Sequence, residues 1–193
     1  MIPAAQQKDC GHPFIPDESL IVDRESRLKN VVVALIDPIQ DSPTAPEQIF
    51  VVLNQVGCHF QPHVVAVRKG NKVEIRNNDA GMHNVHIEAF KNPSINQSMP
   101  SRGHPLFWTA GEPEKVRVAC DVHPCMNAWI AIIEGPHFAV TDDRGEFLMS
   151  DIPPGEHTLK LWHEKLGLAK TSVTVRVVEG EIAGVDISVG PLR

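Results

Sequence analysis

The chain has 193 residues, with 18 Lys+Arg against 24 Asp+Glu and a formal net charge of −6. That balance leaves no basic surplus for nucleic-acid phosphates or anionic lipid, which argues against both as partners. The longest apolar runs, Val31–Ile36 and Ala128–Ile133, fall far short of the ~20 residues needed to span a bilayer, so no transmembrane segment is expected.

Sixteen prolines and 13 glycines punctuate the chain at short intervals. Short strands separated by turns are therefore expected, not long helices. Residues 1–15 are polar and Pro-rich and are expected to wrap a surface. The β-branched runs then come in chain order: Val31–Ile36, Phe50–Leu53, Val64–Val67, Lys72–Arg76, Asn84–Ile87, Val116–Ala119 and Trp129–Ile133. A second group follows at Phe138–Thr141, Glu146–Met149, Thr158–Trp162, Ser172–Val178 and Ile182–Val189. Val73-Glu74-Ile75-Arg76 and Val173-Thr174-Val175-Arg176 alternate with the period of two that buries one face of a strand. Asn78-Asp79-Ala80-Gly81, Asp143-Arg144-Gly145 and Pro153-Pro154-Gly155 supply turns. Lys91 to Gly111 shows no strand pattern and reads as a long loop able to cover a site. The fold class expected is all-β, built as sandwiches.

Chemistry concentrates in Cys120-Asp121-Val122-His123-Pro124-Cys125-Met126. A thiol, an imidazole and a thioether recur every three residues on a loop between two strands. With a second histidine, His83 upstream, they form the His2Cys set with a weak axial Met that suits copper cycling between Cu(I) and Cu(II). Zinc also takes Cys and His, but Met is a poor zinc ligand. The plainer alternative pairs Cys120 with Cys58 or Cys125 in a structural disulfide and leaves His83, His123 and Met126 incidental.

The segment Val67–Ile87, with Gly70, Val73, Asn77 and His83-Asn84-Val85-His86, resembles the first half of the plastocyanin-like cupredoxins. Cys120-x-x-His123-Pro124-x-Met126 resembles their copper loop, in the short form found in amicyanins. The resemblance implies a cupredoxin-type Greek-key sandwich holding one mononuclear copper through His83, Cys120, His123 and Met126. It implies that Asn84 fixes the Cys-bearing loop by hydrogen bonds. Cys125 stands where a bulky apolar residue is usual in that family. If Cys120 is a metal thiolate, at most one bridge remains, and Cys10 with Cys58 is the preferred pair. Such a bridge implies an oxidising compartment.

Phe60-x-Pro62 resembles the strand start below the cupredoxin site, which brings His63 forward as an extra ligand or a hydrogen-bonding neighbour of the ligands. His86 falls on the strand face opposite His83 and is the weaker candidate. Cys125 is expected as an inert thiol, a ligand in place of Met126, or a partner for oxidation. His59 is expected to be occupied beside Cys58. His12, His104, His137, His157 and His163 are expected to be exposed.

Phe138–Phe147 with Thr141-Asp142-Asp143-Arg144-Gly145, followed by Ile152-Pro153-Pro154-Gly155, resembles the carboxypeptidase regulatory-like (transthyretin-like) domain, with Leu28–Leu35 as its first strand. The resemblance implies a smaller β-sandwich made of 16–45 and 135–193, into which the copper domain, 46–134, is inserted. The function then expected is single-electron transfer in the periplasm, with a redox partner protein or a copper donor or acceptor, and no bond-making catalysis. Met1-Ile2-Pro3 lacks the basic start and apolar core of a signal peptide, so an exported protein is expected here in mature form. The other functions in view are copper carriage at a non-blue site and a metal-free structural or carbohydrate-binding β protein.

Overall fold

A computed structural model describes residues 16–37, 50–166 and 172–189. Among the described residues the chain is all-β, with thirteen strands and no helix. It divides into two compact units. The described residues of the first are 16–18 and 50–134; those of the second are 19–37, 135–166 and 172–189.

The first unit contains β2 (Phe50–Val56), β3 (His59–Gln61), β4 (Val64–Arg68), β5 (Lys72–Asn77), β6 (His83–Glu88), β7 (Ile95–Met99), β8 (Leu106–Thr109), β9 (Lys115–Ala119) and β10 (Asn127–Ile133). They form a five-stranded sheet ordered β4-β10-β9-β6-β7 and a four-stranded sheet ordered β3-β2-β5-β8. Alternation decides the faces. On β5, Val73 and Ile75 are fully buried, while Glu74 and Arg76 turn outward and pair with each other. The inner faces join in one apolar cluster that includes Leu53, Phe60, Val67, Ile87, Val118 and Ile130. Burial of this kind is the main favourable term holding such sheets in register.

The register also builds one end of the unit. β6 and β9 are antiparallel, with His86 opposite Ala119 and Ile87 opposite Val118. The start of β6 therefore lies beside the end of β9. β9 and β10 are antiparallel neighbours, with Ala119 opposite Asn127. The segment Cys120–Met126 is thus the connection between two central strands, immediately beside His83.

The stretch Lys91–Gly111, expected as a loop, carries two strands. β7 pairs with β6, and β8 pairs with β5. β7 closes its sheet at the edge and reads Ile-Asn-Gln-Ser-Met, with three exposed polar residues in its middle, so it has no apolar alternation to find. Met99 and Trp108 enter the core, while His104 and Phe107 remain exposed.

The second unit contains β1 (Val32–Leu35), β11 (Phe138–Val140), β12 (Gly155–Trp162) and β13 (Ser172–Val177), in one sheet ordered β11-β1-β12-β13. Val33, Leu35, Leu159 and Leu161 form its centre. The Asp142 carboxylate accepts the Arg144 and Glu146 N–H groups at 2.8 and 3.0 Å. Gly145 sits at φ +67°, where a Cβ would lie 2.7 Å from Arg27 Cβ, so the turn requires glycine. The runs Glu146–Met149 and Ile182–Val189, expected as strands, belong to no ladder in the described residues. Their apolar side chains, Phe147, Met149, Val185, Ile187 and Val189, still pack on the sheet. His137, His157 and His163 are buried, not exposed. On β12 the alternation puts His157 on the same face as Leu159 and Leu161, where its Nε2 lies 2.7 Å from the Pro153 carbonyl. His12 lies outside the described residues.

Candidate metal centre

Three of the four expected ligands converge as donor atoms. His83, 0% exposed, opens β6, and its Nδ1 lies 2.9 Å from His123 Nδ1. Cys120 Sγ lies 3.9 Å from His83 Nδ1 and 3.8 Å from His123 Nδ1, and the thiol is free. The two rings stand at 65° with centroids 4.7 Å apart, so both Nδ1 atoms face one point next to the sulfur. Met126, 1% exposed, belongs to the same buried cluster as Cys120.

Local backbone bonds hold this arrangement. The Met126 N–H donates to the His123 carbonyl at 2.9 Å, and the Cys120 N–H donates to the Met126 carbonyl at 3.2 Å. The connection is thereby closed on itself. Asn84 ties it to β6. Its Oδ1 accepts the Asp121 and Val122 N–H groups at 2.5 and 3.3 Å, and its own backbone N–H points at Cys120 Sγ at 3.5 Å. The Asn84 amide also donates to Asn96 and Asp121.

One neighbouring group was not among the residues singled out from the sequence. Asp79 Oδ2 lies 2.8 Å from His83 Nε2, which orients the ring and leaves Nδ1 facing the cluster. Asp79 also accepts the Gly57 and Cys58 N–H groups at 2.6 and 2.9 Å. Burial alone would push its carboxyl up, but the Cys58 and Gly57 N–H donors and His83 together hold it below the usual value. Burial likewise pushes the Cys120 thiol up; His83 and the N–H groups of Asn84, His123 and Val122 outweigh it and bring the thiol down. For His83, burial disfavours the charged ring, while Cys120 and Asp79 favour it and prevail. The site thus stabilises a thiolate, the form of cysteine that binds metal.

A second sulfur stands close by. Cys58, His83 and His123 offer donor atoms that all lie within 4.8 Å of one another. Cys58 is disulfide-bonded, however, whereas Cys120 is free. A disulfide sulfur has no thiolate to give, so Cys120 is the sulfur able to complete the set in this state of the protein. Cys10, the partner expected for Cys58, lies outside the described residues.

The remaining candidates separate cleanly. His86 points away and pairs with Asp121 at 3.0 Å on the surface. His59 Nδ1 lies 3.3 Å from Glu18, as expected of a residue occupied beside Cys58. His63 is 5% exposed and, with Cys58, His59, Cys125 and Met126, lines a cavity of about 290 Å³. Cys125 is an exposed free thiol at its edge. Two imidazole nitrogens, one stabilised thiolate and a buried thioether make up a donor set suited to one copper ion.

No family model matches the chain, and no curated protein matches it. Solved structures similar to part of it include a Cu-containing nitrite reductase (NirK) from Thermus scotoductus SA-01, at 23% identity and TM-score 0.42. That match covers 51% of this chain and 26% of the reductase chain, so this chain corresponds to about a quarter of that one. A purple cupredoxin from Nitrosopumilus maritimus is similar at 15% identity and TM-score 0.37, over 43% of this chain and 99% of that one. A reduced Cu(I) form of an amicyanin mutant is similar at 17% identity and TM-score 0.40, over 52% and 98% of the two chains.

Proposed function

We propose that this chain is a copper-binding cupredoxin that transfers single electrons in the periplasm. The observation that carries the reading is the convergence of His83 Nδ1, His123 Nδ1 and the free Cys120 Sγ within 3.9 Å of one another. Copper, when bound, supplies the one-electron couple. The chain's own residues supply the rest. Cys120, His83, His123 and Met126 would hold the ion. Asp79 would hold the His83 ring and Asn84 the Cys120-bearing connection in place in both oxidation states. The buried surroundings exclude water from the sulfur. Fixed ligands reduce the reorganisation that an electron transfer requires, so the protein contributes geometry and a surface for a redox partner, not bond making. The second unit, with its Thr141–Gly145 turn, is proposed to be a carboxypeptidase regulatory-like sandwich interrupted by residues 46–134.

Titration with Cu(II) tests this directly. We expect an intense visible band, lost on reduction and restored on oxidation. Cys120→Ser should abolish the band with the fold intact, whereas Met126→Leu should keep colour and shift the potential. A Cys120→Ser protein that stays coloured would overturn the ligand assignment. The cavity joining His63 and Cys125 to Met126 favours a second reading, copper carriage at a site richer in donors. Tight copper binding without reversible redox behaviour would select it.

A further inference from the structure

Two cysteines, not one, approach the paired imidazoles. Cys120 does so as a free thiol, and Cys58 does so from a disulfide, in a buried cluster with His83 and His123 whose donor atoms lie within 4.8 Å of each other. The backbone holds Cys58 there in an unusual way. Gly57 and Cys58 form the two-residue turn between β2 and β3, with φ of +61° and +57°. The mirror-image hairpin turn needs positive φ at both positions and favours Asn, Asp or Gly there. A cysteine in the second place is held against its own preference. The holding group is Asp79, whose carboxylate takes both turn N–H groups and His83 Nε2 together. A single side chain therefore fixes the position of this sulfur relative to a metal-binding ring.

The geometry points to Cys58 as a latent second thiolate of the metal centre, masked by its disulfide and released by a small dithiol. This rests on the reading of His83, Cys120 and His123 as metal ligands and extends it. In the oxidised protein the site offers one thiolate, two imidazoles and a thioether. Reduction of the disulfide frees a second thiol beside the same two rings. Cys120 is not among the three residues whose donor atoms lie within 4.8 Å, so the freed Cys58 sulfur completes an S2N2 set by swinging toward Cys120. Such a set takes zinc-like tetrahedral ions and Cu(I) in preference to Cu(II). The step balances without other reagents. The dithiol is oxidised to its cyclic disulfide, and its two electrons break the S–S bond at Cys58. Its two protons pass to Cys58 and to the former partner sulfur. Cys58 then gives up its proton when a metal binds. Access is provided by the cavity of about 290 Å³ that Cys58 lines with His59, His63 and Cys125.

Co(II) is the probe, because its sulfur-to-metal absorption counts thiolates. All proteins carry Cys125→Ser, which removes the exposed thiol from the count. Each is titrated as purified and again after reduction with dithiothreitol and anaerobic removal of the reagent. The oxidised protein should show the absorption of one thiolate, and the reduced protein about twice that. With Cys58→Ser added, the band should stay at the one-thiolate level under both conditions. With Cys120→Ser added, it should be missing before reduction and appear at the one-thiolate level afterwards. Far-ultraviolet circular dichroism of the same samples reports whether the sheets survive reduction. The proposal is overturned if reduction leaves the band of the Cys125→Ser protein unchanged or removes it, or if adding Cys58→Ser leaves the gain as large. A missing band in the oxidised Cys125→Ser protein would instead overturn the assignment of Cys120 as a ligand, so the two failures look different.

Discussion

Asp79 shows how much a single carboxylate can be asked to do. It is 9% exposed, accepts two turn N–H groups, and faces the ring nitrogen of His83 that is turned away from the proposed metal position. A metal-binding imidazole is oriented by the hydrogen bond on its other nitrogen, and losing such a partner typically costs about 10–100-fold in metal affinity. Asp79→Ala should therefore weaken Cu(I) binding by about that factor, measured by competition with a chromogenic chelator. It should also lower stability by roughly 1–3 kcal/mol, because the Gly57 and Cys58 N–H groups lose their acceptor. Unchanged affinity in a folded variant would remove Asp79 from the site. Asn84→Ala is the matching test on the loop side. Freeing the Asp121 and Val122 N–H groups should cost about 1–2 kcal/mol of stability, read from the shift of the chemical-denaturation midpoint. The proposed ligands stand out in the sequence because Cys, His and Met in this order have few other uses. Asp79 was not, because Asn78-Asp79-Ala80-Gly81 looks like ordinary turn chemistry, and a residue that works through another leaves no spacing of its own. Cys58 was legible as a bridge partner, but its approach to His83 depends on the fold of a turn that local sequence does not specify.

At the scale of elements, the connection between β6 and β7 depends on Glu114. Its carboxylate accepts the Phe90 and Lys91 N–H groups at 2.7 and 3.0 Å and the Asn92 amide at 2.9 Å. Asn92, in turn, accepts the Gly111 and Glu112 N–H groups. This polar clamp replaces the apolar pattern that would have announced β7 and β8, which is why Lys91–Gly111 read as a loop. Burial pushes the Glu114 carboxyl up, but Asn92 and the Phe90 and Lys91 N–H groups hold it below its ordinary value of 4.5. A carboxyl lowered in the folded state stabilises the fold fully above its unfolded value, and that contribution disappears as pH falls through the folded value. Glu114→Gln should thus cost about 1 kcal/mol at neutral pH. The gap from wild type should close in acid, as shown by urea midpoints across the range. A gap that stays constant with pH would show that the charge on Glu114 plays no part. Strands such as β5 and β10 were legible because alternation or near-continuous burial is written in Val, Ile and Ala. Ile182–Val189 alternates equally well yet forms no ladder among the described residues, since alternation reports a buried face and not a hydrogen-bonded neighbour.

Across the whole molecule, the two units have separate apolar cores, one around Leu53, Phe60 and Ile130 and the other around Val33, Leu159 and Leu161. All the proposed ligands belong to the first. A ligand that binds only a folded unit stabilises that unit by RT ln(1 + [L]/Kd), about 2.7 kcal/mol at a hundredfold excess over Kd. For a unit of this size that corresponds to a rise in Tm on the order of 10 °C. Calorimetry of the full chain should accordingly resolve two transitions, and copper should move one of them upward while leaving the other in place. The mobile transition should lose its response in Cys120→Ser, and a substitution in the other core, such as Leu159→Ala, should lower only the copper-insensitive transition. A single transition that shifts as a whole with copper would show that the two cores melt together. It would also mean that the metal centre draws its stability from both units and not from the sandwich that carries it.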